Sequence, residues 1–274
     1  MQPTSELGGS TLKARTFGSM GTVVSLTIPA GAVPETAASA DGGLDDAAAA
    51  VERVFARLDE IFSLYRPDSE ASRLARGELS LREASAGMRD RYADALSWRL
   101  TTEGAFSPER PDGVLDLSGI IKGYAIAQSG EALRSRGITD WCLNAGGDVL
   151  VMGSPVPGCA ASWTAGVVDP QDRSALLSAF ALCGPGNREA GTRRALATSG
   201  SAERGDHIWT AGTGGAELIQ VSVAAADIVT ADVLATAIVA GGAAMMDRAT
   251  DHWDIDVLAV RRDGQLLATP AFRA

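Results

Sequence analysis

Residues 230–242 read TADVLATAIVAGG, and this stretch decides the architecture that the rest of the chain must accommodate. Apolar side chains occur on every side of the helix expected over 231–240, and its polar exceptions are Asp232 and Thr236. A helix that is apolar all round is buried inside a protein. We therefore predict a central helix that begins after Thr230 and stops at the glycine pair 241–242.

The two polar residues of this helix stand at positions i and i+4, so Asp232 and Thr236 share one face. A buried carboxylate without a partner costs too much free energy to persist, and Asp232 therefore needs one. A carboxylate and a hydroxyl near a helix N-terminus suit a hard cation such as Mg²⁺ and the phosphates that it carries. The alternative is that Asp232 only complements the dipole of the first helical turn.

The composition excludes several classes of protein. The 274 residues include 24 Lys and Arg against 34 Asp and Glu, a formal net charge of −10, and 46% are hydrophobic. An acidic chain repels nucleic acid and anionic membranes, so an anionic ligand needs a metal ion or a local set of donors. Cys142, Cys159 and Cys183 lack metal-ligand spacing and are expected to be small buried apolar side chains.

The sequence gives no sign of export or of a membrane span. No apolar run reaches the ~18 residues that a span requires, and residues 1–15 contain no apolar signal region. We therefore expect a cytoplasmic protein that has neither a membrane span nor a nucleic-acid partner.

The remaining pattern predicts one domain of α+β class. Helices and strands alternate irregularly with hairpins between them, which disfavours a regular βαβ winding. The expected order is a loop at 18–21, a strand at 22–28, a loop at 29–46, a helix through 51–62 that ends near Pro67, a helix at 86–101, a helix from the N-cap Ser118 to Gly137, a hairpin at 138–153, mostly strands over 160–224, the central helix, and a hairpin at 254–269 with a type I′ turn at Asp263-Gly264.

A second informative stretch, LDLSGIIKGY at 115–124, predicts a strand end that turns directly into a helix. Gly119 and Gly123 permit a ligand to approach the backbone closely, and Lys122 offers a cation one turn into the helix. The alternative for Lys122 is an ordinary solvated side chain, which the scarcity of lysine in this chain disfavours. The dinucleotide-binding G-x-G-x-x-G, the P-loop and the G-x-S-x-G signatures are all absent from the sequence.

Taken together and in order, a series of short stretches resembles the ApbE family, the FAD:protein FMN transferases. The stretches are SMGT at 19–22, FSLYRPDSE at 62–70, residues 116–124, NAGGD at 144–148, ATSG at 197–200, His207-Ile208, and Ala231-Asp232 with Thr236. The resemblance implies an ApbE-like domain over 17–274 after an N-terminal tail, 1–16. It implies mixed, largely antiparallel sheets flanked by helices, with a cleft that holds FAD.

The resemblance also implies the roles of individual residues. Mg²⁺ on the pyrophosphate would be bound by Asp232, Thr236 and the backbone carbonyl of Gly119. FAD would be bound by Met20, Tyr65, Ser69, Glu70, Asp116, Lys122, Asp148, Thr198 and Ser199. The catalytic residues would be Asp232, through the metal, and His207, as the base that takes the proton of the acceptor hydroxyl.

The reaction implied is Mg²⁺-dependent transfer of FMN from FAD to a Ser or Thr hydroxyl of an acceptor protein, which releases AMP. The sequence departs from the family pattern after His207, where Thr210, Ala211 and Gly212 replace Asp, Pro and Arg or Lys. Gln128 likewise stands where Asp is common. These changes fall at the acceptor side of the chemistry and leave the metal helix intact. A Mg²⁺-dependent FAD pyrophosphatase that yields FMN and AMP, and a non-catalytic FAD-binding protein, therefore remain as alternatives.

Overall fold

The computed structural model describes residues 11–32, 42–182, 193–200 and 217–272. The elements in chain order are strands β1 (Leu12–Ser19) and β2 (Thr22–Pro29), helices α1 (Gly42–Phe62), α2 (Glu70–Ala75), α3 (Ala86–Thr101) and α4 (Ser118–Arg134), strands β3 (Trp141–Ala145), β4 (Asp148–Met152), β5 (Trp163–Val168), β6 (Leu176–Leu182), β7 (Ala195–Gly200) and β8 (Leu218–Ala225), helix α5 (Ile228–His252), strands β9 (Asp256–Arg261) and β10 (Leu266–Ala268), and a 3₁₀ helix (Pro270–Phe272).

Eight of the strands form one sheet in the order β1-β2-β3-β4-β7-β8-β9-β10. Every neighbouring pair in this sheet is antiparallel. Strands β5 and β6 pair only with each other, also antiparallel, among the described residues. The α+β prediction with largely antiparallel sheets is therefore confirmed.

The sheet is the middle layer of the fold, because its strands alternate apolar side chains between two faces. Val221 and Val223 of β8 belong to the larger core cluster, which includes residues of α1, α4 and α5. Ala224 of β8, together with Val149 and Val151 of β4, belongs to a smaller cluster that the β5–β6 hairpin covers. Helices therefore cover one face of the sheet and a two-stranded hairpin covers the other.

Helix α5 is the central helix that its sequence predicts, and it packs against α4 and strands β7 and β8. It begins at Ile228, before the predicted start, because the Asp227 side chain accepts the Thr230 N–H at 2.8 Å and caps the helix. Gly242 adopts φ 66°, so the helix breaks there as predicted, but the chain resumes a helix and continues to His252.

Helix α5 is long and apolar enough to cross a membrane by length and composition. That finding differs from the sequence prediction that no such segment exists. In this fold, however, 61% of the most apolar part of α5 is buried inside the protein. Its apolar character therefore serves the core of the sheet–helix interface.

The N-terminal region differs from its prediction. Strand β1 begins at Leu12, inside the expected tail 1–16, and it runs through the first half of the expected loop 18–21. Met20 and Gly21 form the two-residue turn to β2, with φ values of 49° and 70° as in a type I′ turn. Hydrophobic alternation is weak in β1 because it is an edge strand, and the sequence pattern therefore missed it.

Two local predictions of turn and cap chemistry are also wrong. Ser118 is the first residue of α4 and not its N-cap. Leu117 occupies the N-cap position, and no side-chain hydrogen bond caps the helix there. Asp116 Oδ1 instead accepts the Ser118 N–H at 2.9 Å. The turn Asp263-Gly264 is not type I′, because only Gly264 of this described pair has a positive φ.

The cysteines are less uniformly buried than expected. Cys142 in β3 is half-buried, and desolvation raises the pKa of its thiol to about 12. Cys159 is exposed, because it lies in the irregular connection between β4 and β5, and its predicted burial is wrong. Cys183 falls outside the described residues.

Gly130 offers a direct test of how closely α4 packs on the sheet. A Cβ at this position would lie 2.9 Å from Cη2 of the buried Trp141 ring. We expect Gly130→Ala to lower the free energy of unfolding by ~1–3 kcal/mol, because the steric cost exceeds the gain in helix propensity. The measurement is urea denaturation followed by circular dichroism.

Gly87→Ala is the matched control, since Gly87 is exposed in α3 and the nearest atom to its added Cβ, Ser85 Oγ, is 3.8 Å away. We expect this variant to be as stable as the unmodified protein or more stable by up to ~1 kcal/mol. Equal stability of the two alanine variants would contradict the tight contact between α4 and Trp141.

Candidate active site

A cleft of about 660 Å³ opens beside the N-terminus of α4, which is within the size range of ligand pockets. Its wall combines the turns of the β1–β2 and β3–β4 hairpins, the end of β7 and one face of α5. The described lining residues are Met20, Gly21, Thr22, Gly104, Ala105, Phe106, Ser107, Glu109, Pro111, Asp116, Ser118, Gly119, Lys122, Gly146, Gly147, Val168, Arg173, Thr198, Ser199, Gly200, Asp232, Thr236 and Ala240.

At the base of the cleft lies a buried cluster of three charged side chains. Lys122, 7% exposed, forms an ion pair through Nζ with Oδ2 of Asp148, which is completely buried. Lys122 Nζ also lies 3.9 Å from Oδ1 of Asp232, which is 3% exposed. The solvated alternative for Lys122 is therefore excluded, and this lysine joins α4 to both β4 and α5.

Backbone N–H groups hold the two carboxylates from their other sides. Asp148 Oδ1 accepts the Thr198 N–H at 3.0 Å, and Asp232 Oδ2 accepts the Gly123 N–H at 3.0 Å. Hydrogen bonds of this kind fix the orientation of a carboxylate. Each acid is thus positioned by a strand or helix other than its own.

Small residues bring α4 and α5 close enough for these contacts. A Cβ on Gly123 would lie 3.1 Å from Cα of Val229 and 3.3 Å from Asp232 Oδ2. A Cβ on Gly119 would meet α5 only at ordinary contact distance, 3.8 Å from Cγ2 of Thr236. Gly123 is therefore the residue that lets the helix backbones approach one another, and residue 119 lies beside Thr236.

The Lys122 ammonium lies between two carboxylates in this cluster, those of Asp148 and Asp232. A further cation beside Asp232 would interact favourably with its carboxylate. Among the described residues, no cluster of three or more His, Cys, Asp or Glu side chains is arranged so that it could hold a metal ion. A metal ion at Asp232 would therefore also use neutral oxygens, and the half-buried Thr236 hydroxyl, which lines the same cleft, is one of them.

Thr236 also contacts strand β7. Its Oγ1 lies 3.0 Å from Ser199 Oγ, and either hydroxyl can donate in this hydrogen bond. On the same strand, Thr198 Oγ1 lies 2.8 Å from Ser222 Oγ. The hydroxyl groups of β7 are thus held in place beside the acidic cluster.

Most of the residues predicted from the sequence come together in this cleft. Its lining includes Met20, Asp116, Gly119, Lys122, Thr198, Ser199, Asp232 and Thr236. Asp148 is fully buried and contacts two residues that line the cleft, Lys122 and Thr198. His207 lies outside the described residues.

The other three predicted FAD contacts do not line the cleft. Ser69 is buried and caps α2 by accepting the Ser72 N–H at 3.0 Å. Glu70 accepts the Ser85 N–H at 2.9 Å and so ties α2 to the start of α3. Tyr65 is 85% exposed. Ser69 and Glu70 therefore have local structural roles, and any contact of these three residues with FAD stays a prediction.

Sequence reasoning missed one wall of the cleft, the segment 104–111 that follows α3. The chain leaves α3 through positive φ values at Glu103 and Gly104, which turn it back toward α4. Glu109 in this segment accepts hydrogen bonds from Tyr92 Oη and Arg99 Nη1, each at 3.0 Å. No motif marks this segment, and a glycine after a helix was the only local signal.

The second missed contribution comes from the β5–β6 hairpin, which supplies Val168 and Arg173. The hairpin is remote in sequence from every other part of the cleft wall. Its approach to the cleft depends on how it packs on the main sheet, which local sequence does not reveal.

Lys122 and Asp148 can be tested as a coupled pair. Lys122→Met leaves a fully buried carboxylate without its cation, and we expect it to lower the free energy of unfolding by ~3–5 kcal/mol. Adding Asp148→Asn removes that charge and keeps an oxygen for the Thr198 N–H, so the double variant should recover much of the loss. A double-mutant cycle from urea denaturation measures the coupling.

Lys13→Met is the matched control, because Lys13 is the other lysine of the chain and lies on the edge strand β1. We expect it to change the stability by less than ~1 kcal/mol. Additive effects of Lys122→Met and Asp148→Asn would show that the two side chains do not interact.

Comparison with known proteins identifies the family and the fold. The sequence matches the model of the ApbE family over residues 20–110 and 108–259. No curated protein matches it. The fold is similar to that of the flavin transferase ApbE from Vibrio cholerae, at 21% identity and a TM-score of 0.71, over 96% of this chain and 99% of the other.

Two further solved structures share the fold. They are the ApbE protein from Thermotoga maritima, at 19% identity and a TM-score of 0.75 over 96% and 98% of the two chains, and the apo form of the Pseudomonas stutzeri flavinyl transferase ApbE, at 19% identity and a TM-score of 0.72 over 98% and 99%. The family match covers most of the sequence and includes every element that forms the cleft, so this chain belongs to the ApbE family.

Proposed function

We propose that this protein transfers FMN from FAD to a Ser or Thr hydroxyl of an acceptor protein, with Mg²⁺ as cofactor and AMP as the second product. The observation that carries the proposal is the cluster of Lys122, Asp148 and Asp232 at the base of a ligand-sized cleft, beside the hydroxyl of Thr236. Two members of the family with this fold, from V. cholerae and P. stutzeri, are described as flavin transferases, which supports the same activity here.

The donor set at the base of the cleft fits a hard divalent cation. The Asp232 carboxylate and the Thr236 hydroxyl are oxygen donors, and the backbone carbonyl of Gly119 is the third ligand that we assign. The buried Asp232 carboxylate would attract such a cation. When bound, Mg²⁺ supplies polarisation of the phosphate oxygens and neutralises charge on the leaving AMP.

The surrounding residues orient these donors. If Thr236 donates its proton to Ser199 Oγ, both lone pairs of its oxygen stay available for a cation. The Gly123 N–H occupies Oδ2 of Asp232. We assign Oδ1, the oxygen closer to Lys122 Nζ, to the cation side, where the ammonium also faces the substrate phosphates.

The reaction needs positioning and charge neutralisation more than a covalent intermediate on the protein. The acceptor oxygen forms a bond to the phosphorus of the FMN moiety, and the bond from that phosphorus to the bridging oxygen of AMP breaks. We assign His207 as the base that accepts the hydroxyl proton. Met20 and the glycines of the two hairpin turns line the part of the cleft that we assign to the flavin. We expect the acceptor to be reachable from the cytoplasm.

The proposal is tested by incubating the protein with FAD, Mg²⁺ and a family acceptor domain that carries a Ser or Thr flavinylation motif. We expect the intact mass of the acceptor to rise by one FMN phosphodiester, one AMP to appear per modified acceptor, and a chelator to abolish both signals. AMP and free FMN with an unmodified acceptor would instead identify a pyrophosphatase. Bound FAD without any turnover would identify a non-catalytic flavin-binding protein.

Asp232→Asn tests the proposed metal site without disrupting the fold. The Asn oxygen can still accept the Gly123 N–H, so we expect a folded protein whose rate falls by at least ~100-fold at the same Mg²⁺ concentration. Asp251→Asn is the matched control, an exposed carboxylate on the same helix, and it should leave the rate unchanged. A rate within threefold of the unmodified protein for Asp232→Asn would contradict the assignment.

A further inference from the structure

We propose that Arg173 is a substrate-binding residue whose guanidinium pairs with phosphate of the flavin substrate and makes the cleft select phosphorylated flavins over riboflavin. The inference rests on the proposed function, because it assumes that a flavin nucleotide occupies the cleft. It concerns the β5–β6 hairpin, which none of the sequence motifs includes.

Arg173 enters the cleft from the turn between β5 and β6. Backbone hydrogen bonds close this turn, from the Asp169 N–H to the Ala175 carbonyl at 3.0 Å and from the Ala175 N–H to the Asp172 carbonyl at 2.9 Å. The Ser174 N–H also donates to Asp172 Oδ1 at 3.0 Å. The backbone of Arg173 is therefore fixed between two ordered neighbours, while its long side chain is exposed.

The start of the turn is also tied to the main sheet. Gln220 on β8 is only 9% exposed, and its Nε2 donates to the carbonyl of Val168 at 2.8 Å. Val168, the last residue of β5, lines the cleft itself. The connection therefore sets the distance between the hairpin and the cleft, so that Arg173 faces a bound ligand from the hairpin side.

The charges that line the cleft favour Arg173 as the residue that binds a phosphate on the hairpin side. Among the described lining residues, the acids are Glu109, Asp116 and Asp232, and the bases are Lys122 and Arg173. Lys122 forms an ion pair with the buried Asp148 and also lies close to Asp232. A cation at Asp232 would compensate the negative charge of that carboxylate, but a flavin nucleotide would bring further negative charge to the hairpin side.

Arginine suits this task, because its planar guanidinium donates two parallel hydrogen bonds to phosphate oxygens. Riboflavin has no phosphate, so the contact discriminates among flavins by the group that the transfer reaction requires. FAD and FMN both carry the phosphate on the ribityl chain, and both should gain from Arg173. The contact also compensates locally for the repulsion that a net charge of −10 exerts on an anionic substrate.

The test is a titration of FAD, FMN and riboflavin by flavin fluorescence in Mg²⁺ buffer without acceptor protein, with AMP measured to show that FAD stays intact. We expect Arg173→Gln to weaken FAD and FMN binding by about tenfold and riboflavin binding by less than twofold. Arg173→Lys should lose about threefold for FAD. The difference between Arg173→Gln and the unmodified protein should shrink at high salt.

Arg53→Gln is the matched control, because Arg53 is exposed on α1 and does not line the cleft, and it should bind all three flavins normally. Unchanged FAD affinity in Arg173→Gln, or an equal loss for riboflavin and FAD, would overturn the assignment of Arg173. Failure of the unmodified protein to bind FAD would overturn the proposed function, and the inference with it, so the two failures are distinguishable.

Discussion

The burial of Lys122 against Asp148 is the interaction on which the rest of the structure depends. A lysine at 7% exposure and a carboxylate at 0% can persist only as partners, so the position of α4 on β4 follows from this pair. Asp148 continues the contact to β7 through the Thr198 N–H, and Lys122 continues it to α5 through Asp232. One ammonium group therefore connects two strands and two helices, directly or through Asp148.

The cleft lies where these two helices and two strands come together. Helices α4 and α5 approach closely because Gly123 carries no side chain, and this approach brings the Gly123 N–H onto Asp232. Two carboxylates, those of Asp148 and Asp232, then share the Lys122 ammonium beside the cleft. The carboxylate of Asp232 and hydroxyls from α5 and β7 lie close together, which suits a hard cation and the phosphate ester that it carries.

The sequence allowed the central features to be predicted because they are local. Asp232 and Thr236 lie one helical turn apart in an otherwise apolar helix, and the rarity of lysine singled out Lys122. The partner of Lys122 could not be derived from local pattern, since Asp148 follows a turn in a separate hairpin. Segment 104–111 and Arg173 were missed for the same reason. Their place in the cleft depends on how the chain after α3 and the β5–β6 hairpin pack, and neither contact has a periodic pattern.

Local hydrogen bonding explains the remaining differences. Ser69 and Glu70 belong to a motif that resembles a ligand site, yet their side chains hold the ends of α2 and α3. Ser118 has the chemistry of an N-cap, but Asp116 precedes it and accepts the Ser118 N–H first. Side chains of this type bond to nearby backbone whenever the turn allows it, and propensity alone does not decide which of two candidates does so.

The central claim is that one cation and the flavin nucleotide share the cleft above Lys122. Crystals grown with FAD and Mn²⁺ test it most directly, because Mn²⁺ scatters anomalously and takes the oxygen ligands of Mg²⁺. The account predicts an anomalous peak within coordination distance of the Asp232 carboxylate and the Thr236 hydroxyl, with flavin phosphate as a further ligand. A peak elsewhere, or a flavin bound outside the cleft, would contradict it.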